Sequence, residues 1–336
     1  MSTITTAQLG TAGPEVGVQG LGCMGMSWGY GPTDTDQARA TLERALELGV
    51  TLFDTADVYG DGENERFLSP FVRAHREQLV LATKFALSLD PADPARRIIR
   101  NEPSYVRASI DASLRRLGVD SVDLYYLHRR DVRVPIEETV GAMAELVQAG
   151  KVRQLGLSEV TAEELRAAHA VHPIAAVQSE WSLFSRDIEA SVVPAAAGLG
   201  AALVPYAPLG RGFLTGALAD PDRTLDASDY RRHQPRFSAA NATANAALLD
   251  TVRTVADAHG ASLGQIALAW VQQRSRVHGL TVVPIPGTRK PSRLDENTAA
   301  TRIELTEDEL ALLEPLAAQV AGNRYADMSF TSAGRE

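Results

Sequence analysis

One cysteine, Cys23, is the whole thiol inventory of this 336-residue chain. No internal disulfide can form and a thiolate metal site is excluded, so Cys23 reads first as a small buried apolar residue. Basic charge is also scarce. Thirty-three Lys and Arg stand against 42 Asp and Glu, a net charge of -9, which argues against nucleic acid or an anionic membrane surface as the main partner. No apolar run approaches the ~18 residues of a membrane helix. The start, MSTITTAQLG, lacks the basic and apolar segments of a signal peptide, and the expectation is a cytoplasmic protein. His75, His169, His172, His233, His259 and His278 form no H-x-H or HExxH pair, so no metal is expected. A G-x-S-x-G nucleophile turn fails because Val160 occupies its last position. What is present is 45% hydrophobic and 22% charged residues, enough to bury a substantial core.

Residues 5–20 alternate polar and apolar, with glycines at 10, 13 and 17, and predict a short hairpin before a strand near 18–24. Gly20, Gly22 and Gly25 match G-x-G-x-x-G, but that fingerprint has to open straight into a helix, and SWGYGP follows instead. These glycines read as positions of close approach after a strand. Helical periodicity then recurs at 34–48, 63–74, 104–117, 135–149, 161–171, 186–198, 245–258, 262–273 and 306–320. Short apolar strands fall at 50–54, 79–84, 123–128, 152–157, 174–179, 201–206 and 280–285. With the first strand they make eight βα units in succession. This predicts one α/β domain over 1–336, a (β/α)8 TIM barrel with a short N-terminal β-hairpin and an extra C-terminal helix. Residues 207–244, after the seventh strand, are too many for an ordinary connection. They read as a lid or clamp over a ligand, or as a tolerated insertion. The tail, 322–336, carries Tyr325 and Phe330 and either folds over the site or stays loose.

Barrel enzymes keep reactive side chains at the carboxyl ends of strands. VTLFDTADVYG at 50–60 places Asp54 at such an end and Tyr59 five residues on. The third strand ends in Lys84 and the fourth in His128. Taken alone, Asp54 also reads as a helix cap, Tyr59 as a loop aromatic and His128 as a satisfied core histidine. A lysine after LVLAT, however, needs a partner at a buried position, and an aspartate on the adjacent strand is one. An ammonium beside a phenol is expected to lower its pKa, letting the tyrosine give a proton to a developing alkoxide. No strong nucleophile is generated. Hydride from a nicotinamide is the natural partner for proton donation to a carbonyl.

These strand ends, with GLGCMGMS at 20–27, FDTADVYG at 53–60, DLYYLH at 123–128, GKVRQLGLSE at 150–159, PYAPLGRGFLTG at 205–216 and PIPGTRKPSRLDEN at 284–297, give a chain that resembles the aldo-keto reductases, in their long-chain bacterial and plant-like branch. The resemblance implies a catalytic tetrad of Asp54, Tyr59, Lys84 and His128 and a cofactor, NADP(H), bound without a Rossmann fold. Gly22, Cys23 and Met24 would fall in the cofactor site. Ser158 and Gln178 would hold the carboxamide, and Tyr206 would stack on the nicotinamide ring. Leu209, Gly210 and Gly212 open the segment resembling the pyrophosphate clamp. Gly287, Thr288, Arg289, Lys290 and Arg293 line a loop and helix start, where Thr288, Arg289 and Arg293 would hold a 2′-phosphate, and Glu296 and Asn297 resemble adenine-contacting positions. Many members have asparagine after the serine of strand five. This chain has Glu159, which accepts but does not donate, and it is left out of the site. Trp28, Phe85, Arg129 and Trp181 follow strand ends or tetrad members and are expected to line the pocket. The implied reaction is reduction of a small aldehyde or ketone by NADPH. A cofactor-sensing subunit, as in the channel-associated branch, and a metal-dependent barrel hydrolase are the alternatives. Nothing in the sequence speaks to oligomeric state.

Overall fold

Short apolar runs become strands and periodic runs become helices in the computed structural model, which describes residues 3–11, 13–90, 93–218 and 220–336. Strands β1 (Thr6–Gln8) and β2 (Glu15–Gly17) form the expected antiparallel hairpin. The barrel then begins with β3 (Leu21–Gly22), β4 (Leu52–Asp54) and β5 (Val80–Phe85). A second hairpin, β6 (Leu87–Asp90) with β7 (Asp93–Ile99), follows. The wall continues with β8 (Val122–Leu127), β9 (Val152–Ser158), β10 (Ile174–Glu180) and β11 (Ala202–Tyr206). Pairing is parallel throughout, in the order β3-β4-β5-β8-β9-β10-β11.

The eighth segment, expected as a strand at 280–285, closes the ring through isolated bridges, Leu203 to Val282 on one side and Gly22 to Gly287 on the other. Pro284 and Pro286 have no N–H to give, so a continuous ladder cannot form there. The Pro284 carbonyl still accepts from the Gly20 amide at 2.9 Å, and the Ile285 amide reaches Pro205 O at 3.0 Å. A Cβ on Gly22 would lie 2.9 Å from Ile285 O. Glycine is what permits this seam.

Helices α1 (Thr35–Glu47), α2 (Glu63–His75), α3 (Pro103–Leu117), α4 (Ile136–Gln148), α5 (Ala162–Val171) and α6 (Val192–Leu199) pack outside. After β11 come α7 (Pro221–Thr224), α8 (Ala239–His259), α9 (Leu263–His278), α10 (Pro291–Ala299) and α11 (Glu307–Leu313). Thr161 with Glu164 and Ser262 with Gln265 make capping boxes that start α5 and α9. Several expectations shift; the helix expected over 186–198 begins only at Val192, and that expected over 262–273 runs on to His278. The helix expected over 306–320 stops at Leu313 and continues as a 3-10 turn, because Pro315 cannot extend the α ladder. The helix expected at 245 starts at Ala239. The 207–244 segment is therefore shorter than expected, and it carries 3-10 turns at Gly210–Thr215, Tyr230–His233 and Pro235–Phe237.

Strand alternation decides which side chains meet. Leu52, Val80, Ala82, Leu124, Tyr126, Ala176, Ala202 and Val204 fill the barrel interior with Val283 and Ile285. Phe53, Leu81, Tyr125 and Leu127 face the helices. Two-residue periodicity then sends Asp54, Lys84, His128, Ser158, Gln178 and Tyr206 inward at the carboxyl rim. Gly156 makes room for the interior, since a Cβ there would meet the Tyr126 ring at 2.4 Å.

Candidate active site

Lys84 is wholly buried, and its Nζ is ion-paired with Asp54 Oδ1. The ammonium also donates to Thr55 O at 2.9 Å and to the Tyr59 hydroxyl at 3.3 Å. The other Asp54 oxygen accepts from Gln178 Nε2 at 2.8 Å. The aspartate thus ties the lysine to the sixth barrel strand, β10, as well as to its own. The His128 ring meets Tyr59 edge-on, with centroids 5.9 Å apart and planes at 88°. Its Nδ1 is buried without a partner among the described residues. Trp28 stacks over Tyr59 at 6.4 Å and 8°, and the Tyr230 ring lies 5.7 Å from Trp28 on the loop after β11.

Electrostatics corrects one expectation. Burial pushes the Tyr59 phenol above its ordinary pKa, and the nearby Lys84 ammonium only offsets part of that rise. Desolvation of the phenolate outweighs the single cation, whose charge Asp54 already shares. Burial would depress Lys84, but Asp54 and Tyr59 overcome it and the net shift is upward. Burial, with Arg129 and Lys84 nearby, holds His128 well below the usual imidazole range. The site therefore presents a neutral phenol, an ammonium and a neutral imidazole at neutral pH.

A second buried network abuts the first. The Glu159 carboxylate, left out of the site on sequence grounds, accepts from both terminal nitrogens of Arg324 at 2.9 and 3.2 Å, from Tyr206 OH at 2.9 Å and from the Glu180 amide at 3.0 Å. Glu159 itself has φ 52°, an unusual conformation for a residue with a side chain. Arg324 also reaches Asp187 at 2.8 Å. Tyr325 places its hydroxyl 3.2 Å from that of Tyr206, and its ring centroid lies 4.6 Å from the Arg211 guanidinium. Of the two fates open to the tail, the structure shows folding onto the rim. Burial would raise the Glu159 pKa, yet Arg324 and Arg129 bring it down to about 2. A depressed carboxylate stabilises the fold above its unfolded value, and the contribution is lost as pH falls from about 4.5 toward 2. Thermal melts across that window are expected to show a shallower acid loss in Glu159→Gln than in the wild type.

The expected cofactor residues are placed as follows. Ser158 and Gln178 are buried side by side on β9 and β10, and Tyr206 is half-buried at the end of β11. Ala207, Gly210, Arg211 and Gly212 all have positive φ, so the chain turns sharply beyond Tyr206, with Leu209 at the start of the 3-10 turn. Cys23 is buried and its amide donates to Asp54 O at 2.9 Å; Met24 follows in a 3-10 turn. Arg289 bonds Thr33 Oγ1 at 2.7 Å, Tyr30 O at 2.8 Å and the Gly25 and Gly31 carbonyls at 3.2 Å, tying itself to the 25–33 loop. Thr288 is held by the Lys290 amide at 3.2 Å, whereas Arg293 is exposed at the start of α10 beyond Gly287. Glu296 accepts from Ser262 Oγ, and Asn297 is buried. Two expected pocket residues are core instead. Phe85 stacks on Tyr125 at 4.9 Å, and Trp181 donates to Glu189 at 2.8 Å; both are fully buried. Each sits one position away from an inward-facing neighbour, and strand parity turns it outward. Trp28 and Arg129 remain at the site.

The aldo/keto reductase family model matches residues 20–318. The chain belongs to the aldo/keto reductase family. Among solved structures, this aldo/keto reductase resembles the glycerol dehydrogenase AKR11B4 from Gluconobacter oxydans, with 28% identity over 95% of this chain and 96% of that one and a TM-score of 0.81. It also resembles the thermostable aldo-keto reductase Tm1743, solved with the inhibitor epalrestat, at 29% identity, 93% and 100% coverage and a TM-score of 0.69. Family membership makes the protein an oxidoreductase. Among the described residues no helix is long and apolar enough to cross a membrane, and no acidic, histidine or cysteine cluster suits a metal.

Glu159, Arg324 and Tyr325 are the members of this aldo/keto reductase's site that sequence reasoning missed as site residues. One signal was available. A carboxylate at a strand end requires a cation, and none occurs within its own βα unit at a useful position.

Proposed function

We propose that the protein reduces small aldehydes or ketones to alcohols with NADPH, Tyr59 supplying the proton. The observation that carries this reading is the Tyr59 hydroxyl 3.3 Å from Lys84 Nζ, with Asp54 behind the lysine and the neutral His128 ring beside it. The residues at the rim fit a nicotinamide. Ser158 and Gln178 offer buried donor and acceptor groups suited to an amide, and Tyr206 offers a half-buried ring face. The turn after Tyr206, which we read as a clamp over 207–238, would offer backbone N–H groups to a diphosphate. Lys290 and Arg293, exposed at the α10 start, support a 2′-phosphate and hence NADPH over NADH.

A nicotinamide held by Ser158, Gln178 and Tyr206 would supply hydride to the carbonyl carbon. Tyr59 gives its proton to the carbonyl oxygen as negative charge develops. Lys84 stabilises the phenolate that remains, and Asp54 fixes the ammonium in place. His128, neutral, orients the oxygen through whichever ring nitrogen carries the proton. Trp28 covers the phenol and limits water.

The direct test is NADPH consumption with a panel of aldehydes, ketones and sugars, and NADH as control. Because the phenol's pKa lies above its ordinary value of about 10, the donor stays protonated, and kcat/KM for reduction is expected to be flat from about pH 7 to 9. NADPH turnover with no member of the panel, or a fall through that window that tracks a single ionisation, contradicts the assignment.

A further inference from the structure

Five arginines are buried among the described residues: Arg129, Arg130, Arg211, Arg274 and Arg324. Four of them hold a carboxylate. Arg130 pairs with Glu164 at 3.5 Å, Arg211 with Glu180 at 3.0 Å, Arg274 with Glu314 at 3.0 Å and Arg324 with Glu159 at 2.9 Å. Arg129 makes no ion pair among the described residues. One of its terminal nitrogens donates to its neighbour's carbonyl, His128 O, at 2.7 Å and to Ser158 Oγ at 3.1 Å. Its guanidinium otherwise lies against aromatic rings, 6.0 Å from the Tyr206 centroid and 5.7 Å from that of Phe330.

A buried guanidinium without a counter-charge is an expensive arrangement, and the rest of this fold avoids it. The carboxylates of the site cannot supply the missing charge. Asp54 is taken by Lys84 and Gln178, and Glu159 by Arg324 and Tyr206, so Glu159 acts on Arg129 only at longer range. Arg129 also directly follows His128, beside the reacting groups. A second cation stands at the mouth, where Arg97 of β7 lies 5.9 Å from the Trp28 ring.

We propose that Arg129 recognises a carboxylate on the substrate, making the preferred substrates aldehydes or ketones that also carry an acid group. The planar guanidinium matches a carboxylate edge to edge, and hydrogen bonds between ionised groups are the stronger kind. The anion then supplies in the complex the counter-charge that the free protein lacks. The inference rests on the reductase reading and deepens it by naming the substrate class.

The test compares 4-carboxybenzaldehyde with its methyl ester, which has nearly the same shape and no charge. Wild-type kcat/KM with NADPH is expected to favour the acid by about tenfold or more, the discrimination typical of a hydrogen bond between charged groups. In Arg129→Gln the ratio is expected to fall to near one, with Arg129→Lys restoring part of it. Binding gives a separate readout: the alcohol product 4-(hydroxymethyl)benzoate, titrated against tryptophan fluorescence in the presence of NADP+, should bind more weakly to Arg129→Gln than to wild type. A wild-type ratio near one overturns the proposal. So does an Arg129→Gln variant that lowers both substrates by the same factor, because that pattern belongs to a structural or cofactor-holding role. In either case turnover of the ester leaves the reductase reading standing, whereas consumption of NADPH with neither aldehyde and none of the wider panel removes both.

Discussion

Tyr59→Phe is expected to keep NADPH binding and lose carbonyl reduction by a factor of roughly 10² to 10⁴, the range of a positioned general acid. The substitution removes one oxygen from a half-buried ring. That oxygen receives a 3.3 Å hydrogen bond from Lys84, while the ammonium keeps its ion pair with Asp54 and its bond to Thr55 O. Little else changes, since the Trp28 stack and the His128 edge contact are made by the ring. Fluorescence titration with NADPH and steady-state turnover measure the two quantities independently. Near wild-type turnover in a variant that binds NADPH normally would show that the proton comes from elsewhere, with His128 the next group to test.

The second large effect concerns stability. Arg324→Met strands the Glu159 carboxylate in a site it fully occupies, and loss of one partner from a buried pair typically costs about 3–5 kcal/mol. Tyr206 OH, the Glu180 amide and the Ser332 amide at 3.2 Å still donate to the carboxylate, so the lower part of that range is the expectation. The double variant Glu159→Gln with Arg324→Met should lose less than Arg324→Met alone, because the uncompensated charge is gone. Urea midpoints of the wild type, the two single variants and the double variant decide it. A loss below about 1 kcal/mol in Arg324→Met would mean that the tail is not anchored by this pair.

Several parts of the site were legible in the chain. Asp54, Lys84 and His128 each end a short apolar run, and a side-chain period of two puts all three on the inward face once the runs are strands. The 79–84 and 123–128 runs also hold the register that makes Lys84 a neighbour of Tyr126. Other features were hidden for identifiable reasons. The β6–β7 hairpin falls where no strand was expected, between the third strand and the helix at 104. Glu159 looked like a departure from a pattern because its partner lies 165 residues away in a tail with no periodicity. Trp181 and Phe85 looked like pocket residues because they follow functional positions, and parity turned them into the core.

The chemistry at the rim was set by residue type and alternation: an aspartate, a lysine and a histidine at the ends of three successive strands, with a tyrosine close behind the first. These are local properties, and local periodicity carries them. Protonation and pairing belonged to the tertiary structure. Only the closed barrel tells how much water Tyr59 loses, and that loss outweighs the lysine beside it. Only the folded tail tells that Arg324 occupies Glu159, and therefore that Arg129 is left with its charge unmatched. Desolvation and long-range pairing depend on what the rest of the chain brings to a point in space.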